Sequence, residues 1–208
     1  MPILDPDINQ YLTDLLPERD PVLYEMERLA EKREFPIVGP VVGSLCYQMA
    51  KATKAKRIFE LGSGFGYSAY WMTLALPENG KIICTERSDE NIKLAKNFFQ
   101  QGKLLGKVEF HKGDALELIQ QFEGQFDIIL NDVDKQYYPR ALELVVPRIR
   151  TGGLLITDNL LWHGRVVAPD NDPATQGILQ YTKNVYASKE LLTTIVPLRD
   201  GVGISLKL

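Results

Sequence analysis

From residue 57 onward the chain alternates between two hydrophobic rhythms. Short continuous apolar runs, bounded by glycine, proline or acidic residues, read as buried strands over 57–61, 81–86, 107–111, 126–131 and 154–157. Between them apolar residues recur at three- and four-residue spacing, which predicts helices over 67–76, 89–101, 115–122 and 138–149, and another near 172–186. Two closing strands, 191–196 and 202–207, are joined by a short turn through Arg199-Asp200-Gly201, so they are expected to pair antiparallel at one edge. Ahead of this region, residues 7–16 form a short helix stopped by Pro17. Asp20 then offers an N-cap before Pro21, and Val22, Leu23, Met26, Leu29 and Ala30 follow at helical spacing; a third helix is expected over 41–52.

Alternation of this kind means helices packed on both faces of a sheet. The expected fold is α/β: a Rossmann-like, doubly wound, mostly parallel seven-stranded sheet with an antiparallel edge strand, plus N-terminal helices. A single domain spans 1–208, with 1–35 as a helical appendage. In such a sheet, ligands bind beyond the carboxyl ends of the strands, so the strand ends carry the functional question.

The first strand runs into Glu60-Leu61-Gly62-Ser63-Gly64-Phe65-Gly66-Tyr67-Ser68. A strand, a glycine-rich turn and a helix together cradle a nucleoside-bearing cofactor, because glycine lets the backbone bend sharply and approach the ligand. A dinucleotide fingerprint needs G-x-G-x-x-G. Counting from Gly62, the third glycine position is Tyr67, and Gly66 comes one residue early. Glu60, at the strand end, would repel a pyrophosphate and welcome a cation. S-adenosylmethionine carries a sulfonium and an ammonium and no phosphate, so it is favoured over NAD, and an NAD-dependent oxidoreductase is the alternative. Glu86, 24 residues beyond Gly62, ends the second strand and can accept from both ribose hydroxyls of either ligand.

Two later strands end in acid: Asn131-Asp132-Val133-Asp134-Lys135 and Thr157-Asp158-Asn159. If they are neighbours, Asp132, Asp134, Asp158 and Asn159 share one rim. Clustered carboxylates repel unless a positive charge sits among them, and hard oxygen ligands suit Mg²⁺. Lys135 can reach the same cavity. Trp162, three residues past Asn159, is a candidate platform for an aromatic substrate, with His163 beside it; His111 reads as structural.

Composition narrows the partners. A net charge of −3 over 208 residues gives no footprint for nucleic acid or an anionic membrane. Cys46 and Cys84 lie in apolar segments and cannot form a disulfide framework. With neither a signal peptide nor an apolar run of membrane-spanning length, a cytoplasmic, soluble protein is expected.

The motifs taken together resemble those of the cation-dependent class I O-methyltransferases of the caffeoyl-CoA and catechol group. The resemblance rests on Glu60, Gly62, Gly66, Tyr67 and Ser68; on Asp132, Asp134, Lys135 and Tyr138; on Asp158, Asn159, Leu161, Trp162 and Gly164; and on Pro197, Leu198, Asp200 and Gly201. Gly113-Asp114-Ala115 is similar to the family's adenine-contacting turn. The resemblance implies that Asp132, Asp158 and Asn159 ligate a divalent metal, that Lys135 is the general base, and that Val38, Gly62, Ser68, Glu86 and Ala115 line the donor pocket together with Asp132. It also implies a catechol or polyphenol acceptor and a homodimer. Phe65, Asn131 and Val133 depart from the family's customary residues, and no long segment for gripping coenzyme A is evident.

Overall fold

The structure is a computed structural model that describes residues 3–208. Seven strands form one sheet: β1 (Arg57–Leu61), β2 (Lys81–Glu86), β3 (Val108–Lys112), β4 (Phe126–Asn131), β5 (Ile149–Thr157), β6 (Leu191–Val196) and β7 (Val202–Lys207). Their order across the sheet is β3-β2-β1-β4-β5-β7-β6. The closing pair sits at one edge as expected. Within it β7 lies inside and runs antiparallel to both β5 and β6, so the outermost strand shares the direction of the other five.

Successive strand residues face opposite sides, and both sides are apolar because both are covered. Ile58, Ile82, Cys84, Ile128, Leu130 and Ile156 bury themselves on one side. There they meet α2 (Pro21–Lys32), α3 (Gly39–Ala52), α4 (Tyr67–Ala75) and α5 (Asp89–Gln101). Phe59, Leu61, Ile83, Ile129 and Leu155 face the other side, against α6 (Ala115–Leu118), α7 (Tyr138–Val145) and α8 (Pro173–Ala187). Each such side chain contributes roughly 1.5–3 kcal/mol of transfer free energy, which sets the register of every strand.

Helix starts follow the expected chemistry. The Asp20 carboxylate accepts from Val22 N at 2.9 Å with Pro21 at the first position, and Ser88 caps α5 through Asn91 N. Val22, Leu23, Met26 and Ala30 are buried, so α2 belongs to the core, whereas α1 (Pro6–Asp14) buries no side chain. The helix expected over 138–149 ends at Val145. Pro147 lies in a tighter turn over Val146–Arg148, and β5 begins at once at Ile149, five residues before the expected start. Exposed Thr151 and Gly152 hide that first half of β5, where pairing with β4 shifts register between Phe126 and Ile128.

β1 pairs with β2 on one side and β4 on the other, so the strand order reverses between β1 and β4. The crevice at their carboxyl ends is where such sheets bind ligands. Among the described residues no helix is long and apolar enough to cross a membrane.

Candidate active site

Two cavities open at that switch point, of about 310 and 960 Å³, and Val38, Asp132 and Lys135 line both. The smaller is built from the glycine turn, the end of β2 and the start of α6. Gly62 has φ +83°, and a side chain there would place its Cβ 2.7 Å from the Asp132 carbonyl oxygen. Only glycine fits, and the turn is thereby pressed against the end of β4, where Asp132 N donates to Leu61 O at 3.0 Å. Thr85 holds the turn from the other side, its hydroxyl accepting from Gly62 N and its carbonyl from Ser63 N.

Glu86 lines this cavity, and one carboxylate oxygen already accepts from Ser88 N at 2.8 Å and from the Asn91 amide at 3.4 Å. These contacts fix the orientation of the carboxylate and leave its second oxygen without a described hydrogen bond. Ala115 stands on the opposite wall, on α6, which Asp114 caps through Leu116 N at 2.8 Å. Ser68, on the first turn of α4, also faces the cavity, and its hydroxyl donates to Glu60 Oε1. Glu60 itself lies beneath the turn, fully buried and on neither cavity wall; Cys84 Sγ approaches its other oxygen at 3.6 Å. Burial pushes the Glu60 carboxyl up to about 8 against the opposing Ser68 hydrogen bond. Glu60, expected as a cofactor-binding residue, thus meets the cavity lining only through Ser68. Phe65 is buried and packs between Phe35 and Phe98, with ring centroids 5.0 and 6.2 Å away.

Parallel pairing of β4 with β5 sets Asn131 beside Thr157, so Asp132 and Asp158 leave adjacent strands side by side. Burial, and then the neighbouring Asp132 charge, hold the Asp158 carboxyl well above the usual carboxylate range. Burial raises Asp132 as well, against the pull of Lys135, whose Nζ lies 2.7 Å from Asp132 Oδ1. Asp158 Oδ1 is buried and has no hydrogen-bond partner among the described residues. Asn159, at φ +60°, donates its amide nitrogen to Asp200 Oδ2 at 3.3 Å, which leaves its amide oxygen available. Among the described residues no three His, Cys, Asp or Glu side chains group as a metal set. The set present is two carboxylates and an amide oxygen, and an orphaned, desolvated carboxylate oxygen within it fits a hard cation.

Lys135 is held on several sides. Its ammonium sits 5.6 Å from the Tyr138 ring centroid and 5.9 Å from that of Trp162. The Tyr138 hydroxyl donates to Asp158 O at 2.9 Å, tying this segment to the end of β5. Behind it α8 comes so close that a Cβ on Gly177 would lie 2.3 Å from the Lys135 carbonyl oxygen. Trp162 and His163 line the larger cavity with their rings stacked 5.5 Å apart, while His111 packs against Phe122 away from both cavities.

Some working residues carried no role in the sequence reading. Gly177 was visible as a glycine inside a helix, which usually marks close packing. Asp200 was visible in the closing motif, and the structure gives it Asn159 and the His163 N–H at 2.5 Å. Phe35 and Arg199 line the cavities from loops with no periodic signal.

A family profile described as O-methyltransferase matches residues 18–208. The chain is similar to the catechol O-methyltransferase of Niastella koreensis, 31% identical over 211 residues that cover 96% of each protein. It is also similar to caffeoyl-CoA O-methyltransferase 2 of Populus trichocarpa, 29% identical over 94% of this chain and 86% of that one. Among solved structures it resembles the O-methyltransferase from Bacillus cereus in complex with SAH, with a TM-score of 0.89, 27% identity and 97% of each chain covered.

Proposed function

Because this chain belongs to the O-methyltransferase family, we propose that it methylates one hydroxyl of a catechol-type aromatic, with S-adenosylmethionine as donor and a divalent cation, Mg²⁺, at Asp132, Asp158 and Asn159. The observation that carries this reading is Asp158 Oδ1, without a hydrogen-bond partner among the described residues, on the wall of the larger cavity beside Asp132, which lines both. A nicotinamide oxidoreductase is not favoured: Tyr67 occupies the third-glycine position, and the carboxylate pair would have no task.

In this reading the smaller cavity takes the donor. Gly62 lets the turn close on it, Glu86 offers the ribose its free oxygen, and Ser68, braced by Glu60, meets the methionine end. The larger cavity takes the acceptor, its ring against Trp162. Asp132 stands between them, so the hydroxyl oxygen and the sulfonium methyl approach across a short shared wall. A divalent cation at this site would supply Lewis acidity toward a vicinal diol and lower the hydroxyl's pKa. Lys135 acts here as the neutral amine, its ammonium proton having passed to solvent when the cation takes Asp132, and its Nζ then receives the hydroxyl proton. The oxygen–methyl bond forms as the sulfur–methyl bond breaks, and the donor leaves as a neutral thioether.

The test is direct. Incubation with S-adenosylmethionine, Mg²⁺ and a simple catechol is expected to give a singly methylated ether by mass spectrometry, and no product from a ring bearing one isolated hydroxyl. Methylation of both rings at equal rates would remove the diol requirement.

A homodimer belongs to the same proposal. Val22, Leu23 and Met26 are absorbed by the chain's own core, but Ile8, Tyr11 and Leu15 share one face of the α1 region at 50%, 62% and 62% exposure. An isologous contact would cover that face. Light scattering at micromolar concentration should report twice the monomer mass, and Leu15→Glu should shift it toward monomer. A monomeric wild type refutes this part.

A further inference from the structure

The carboxylates lining the larger cavity are nearly all engaged. Asp132 holds Lys135 Nζ at 2.7 Å. Asp134 lies 3.8 Å from Arg87 Nη1. Asp172 caps α8 through Thr175 N at 3.0 Å and sits 3.6 Å from Arg165. Asp200 is buried and accepts from Asn159 and His163. One cation on the wall has no such settled partner. Arg199 makes no described side-chain hydrogen bond, and its described ion pair is with Asp158 Oδ2 at 4.0 Å, the outer limit of such a contact. If Asp158 holds a divalent cation, as proposed above, that partner is taken and the guanidinium faces the acceptor cavity with its donors unused.

The surroundings suit an anion carried on an aromatic ring. Arg199 sits at the tip of the turn between β6 and β7, its side chain 40% exposed, at φ +50°, a conformation uncommon for a residue other than glycine. The cavity that Arg199 and Lys135 line also has apolar walls, Ile37, Val41, Leu198 and Trp162 among them. A planar ring fits such walls, and a guanidinium at their end matches a carboxylate in a two-pronged hydrogen bond.

We propose that Arg199 determines acceptor specificity by binding a carboxylate on the acceptor, which makes the preferred substrates carboxylated catechols with the acid on the ring or on a short side chain. The inference rests on the metal-dependent catechol reading. The guanidinium lines the acceptor cavity and lies 4.0 Å from a proposed metal-binding carboxylate, about one ring's length being enough to carry an acid on the ring or on a short side chain from the diol toward it. The phosphates of a coenzyme A ester would lie a long flexible arm away, and they are not the anion assigned here.

The experiment compares 3,4-dihydroxybenzoate with its neutral isostere 3,4-dihydroxybenzamide, and with the coenzyme A thioester of a dihydroxycinnamic acid. Wild type is expected to favour the benzoate over the benzamide in kcat/KM. Arg199→Gln should shrink that preference by about 10- to 100-fold, mainly through KM for the benzoate, which is the scale of one charge-assisted contact. Arg199→Asn, which tolerates the positive φ, should do the same, and Arg199→Lys should keep part of the preference. Arg199 lies outside the smaller cavity, so titration of each variant with SAH should match wild type and certify folding.

An unchanged benzoate-to-benzamide ratio in the Gln and Asn variants overturns the proposal. So does a parallel loss on both acceptors, which would make Arg199 a partner of Asp158 alone. Loss confined to the thioester would assign the contact to phosphate and also reject a carboxylate ligand. Failure of wild type to methylate any of the diols, while still binding SAH, would bring down the catechol reading itself, and that result differs from all the others.

Discussion

Excess EDTA is expected to abolish methyl transfer to a catechol, and Mg²⁺ added back is expected to restore it. A free phenol has a pKa of about 10, so roughly one molecule in a thousand is ionised at pH 7. Lys135 pairs with Asp132, and Asp158 meets only a loose contact with Arg199 at 4.0 Å and keeps one oxygen that no described residue satisfies. Burial and then the Asp132 charge push the Asp158 carboxyl up to about 7, and Asp132 is raised as well. The folded, metal-free protein therefore binds protons that the unfolded chain gives up above about pH 4. Its stability should fall as pH rises from about 4 toward 7. A divalent cation competes with those protons, so the rise in thermal midpoint on adding Mg²⁺ should be larger at pH 8 than at pH 6. Full turnover in excess EDTA, with a midpoint indifferent to Mg²⁺ at both pH values, would remove the metal site from the scheme.

Lys135→Ala is expected to lower kcat at neutral pH by about 10²-fold, the low end of what a positioned base contributes. The loss should shrink as pH rises, because the acceptor then ionises without help. Donor affinity should stay close to wild type, since the glycine turn, Thr85 and Glu86 hold the smaller cavity without help from the ammonium. Lys135→Arg separates the two things the side chain does. It keeps a positive charge beside Asp132 but cannot give up its proton in the working range. If Lys135→Arg turns over like wild type, the lysine is an electrostatic partner and not the base. Glu86→Ala should behave in the opposite way, weakening the donor with less effect at saturation.

Much of the architecture could be read from the chain because the sheet is covered on both faces. Strands such as Phe126–Asn131 are then continuous apolar runs with abrupt polar ends, and five of the seven strands occupy the expected residues. The rim was legible for the same reason: a carboxylate just past a buried strand end has one place to go. What escaped lacked a periodic signature. Exposed Thr151 and the flexible Gly152 concealed the first half of β5, and α3 begins at Gly39 without a side-chain cap to announce it. Glu60 was recognised as exceptional, but sequence could not distinguish a carboxylate facing a ligand from one buried behind Ser68. Arg199 is a single charge in a turn, and only the pairing of β7 with β5 brings it to Asp158.

Asp132 belongs to both cavities, and its carbonyl oxygen lies where any side chain on Gly62 would have to go. Within the wall shared by the two chambers, Asp132 is thus the residue whose backbone clamps one chamber's turn and whose carboxylate lies beside Asp158 at the other. Whatever factor a cation exerts on donor affinity through this residue, the donor must exert on cation affinity in return, because the two binding free energies close one cycle. A substitution at Gly62 would then register as a change in apparent metal affinity, although no metal-facing atom had been altered.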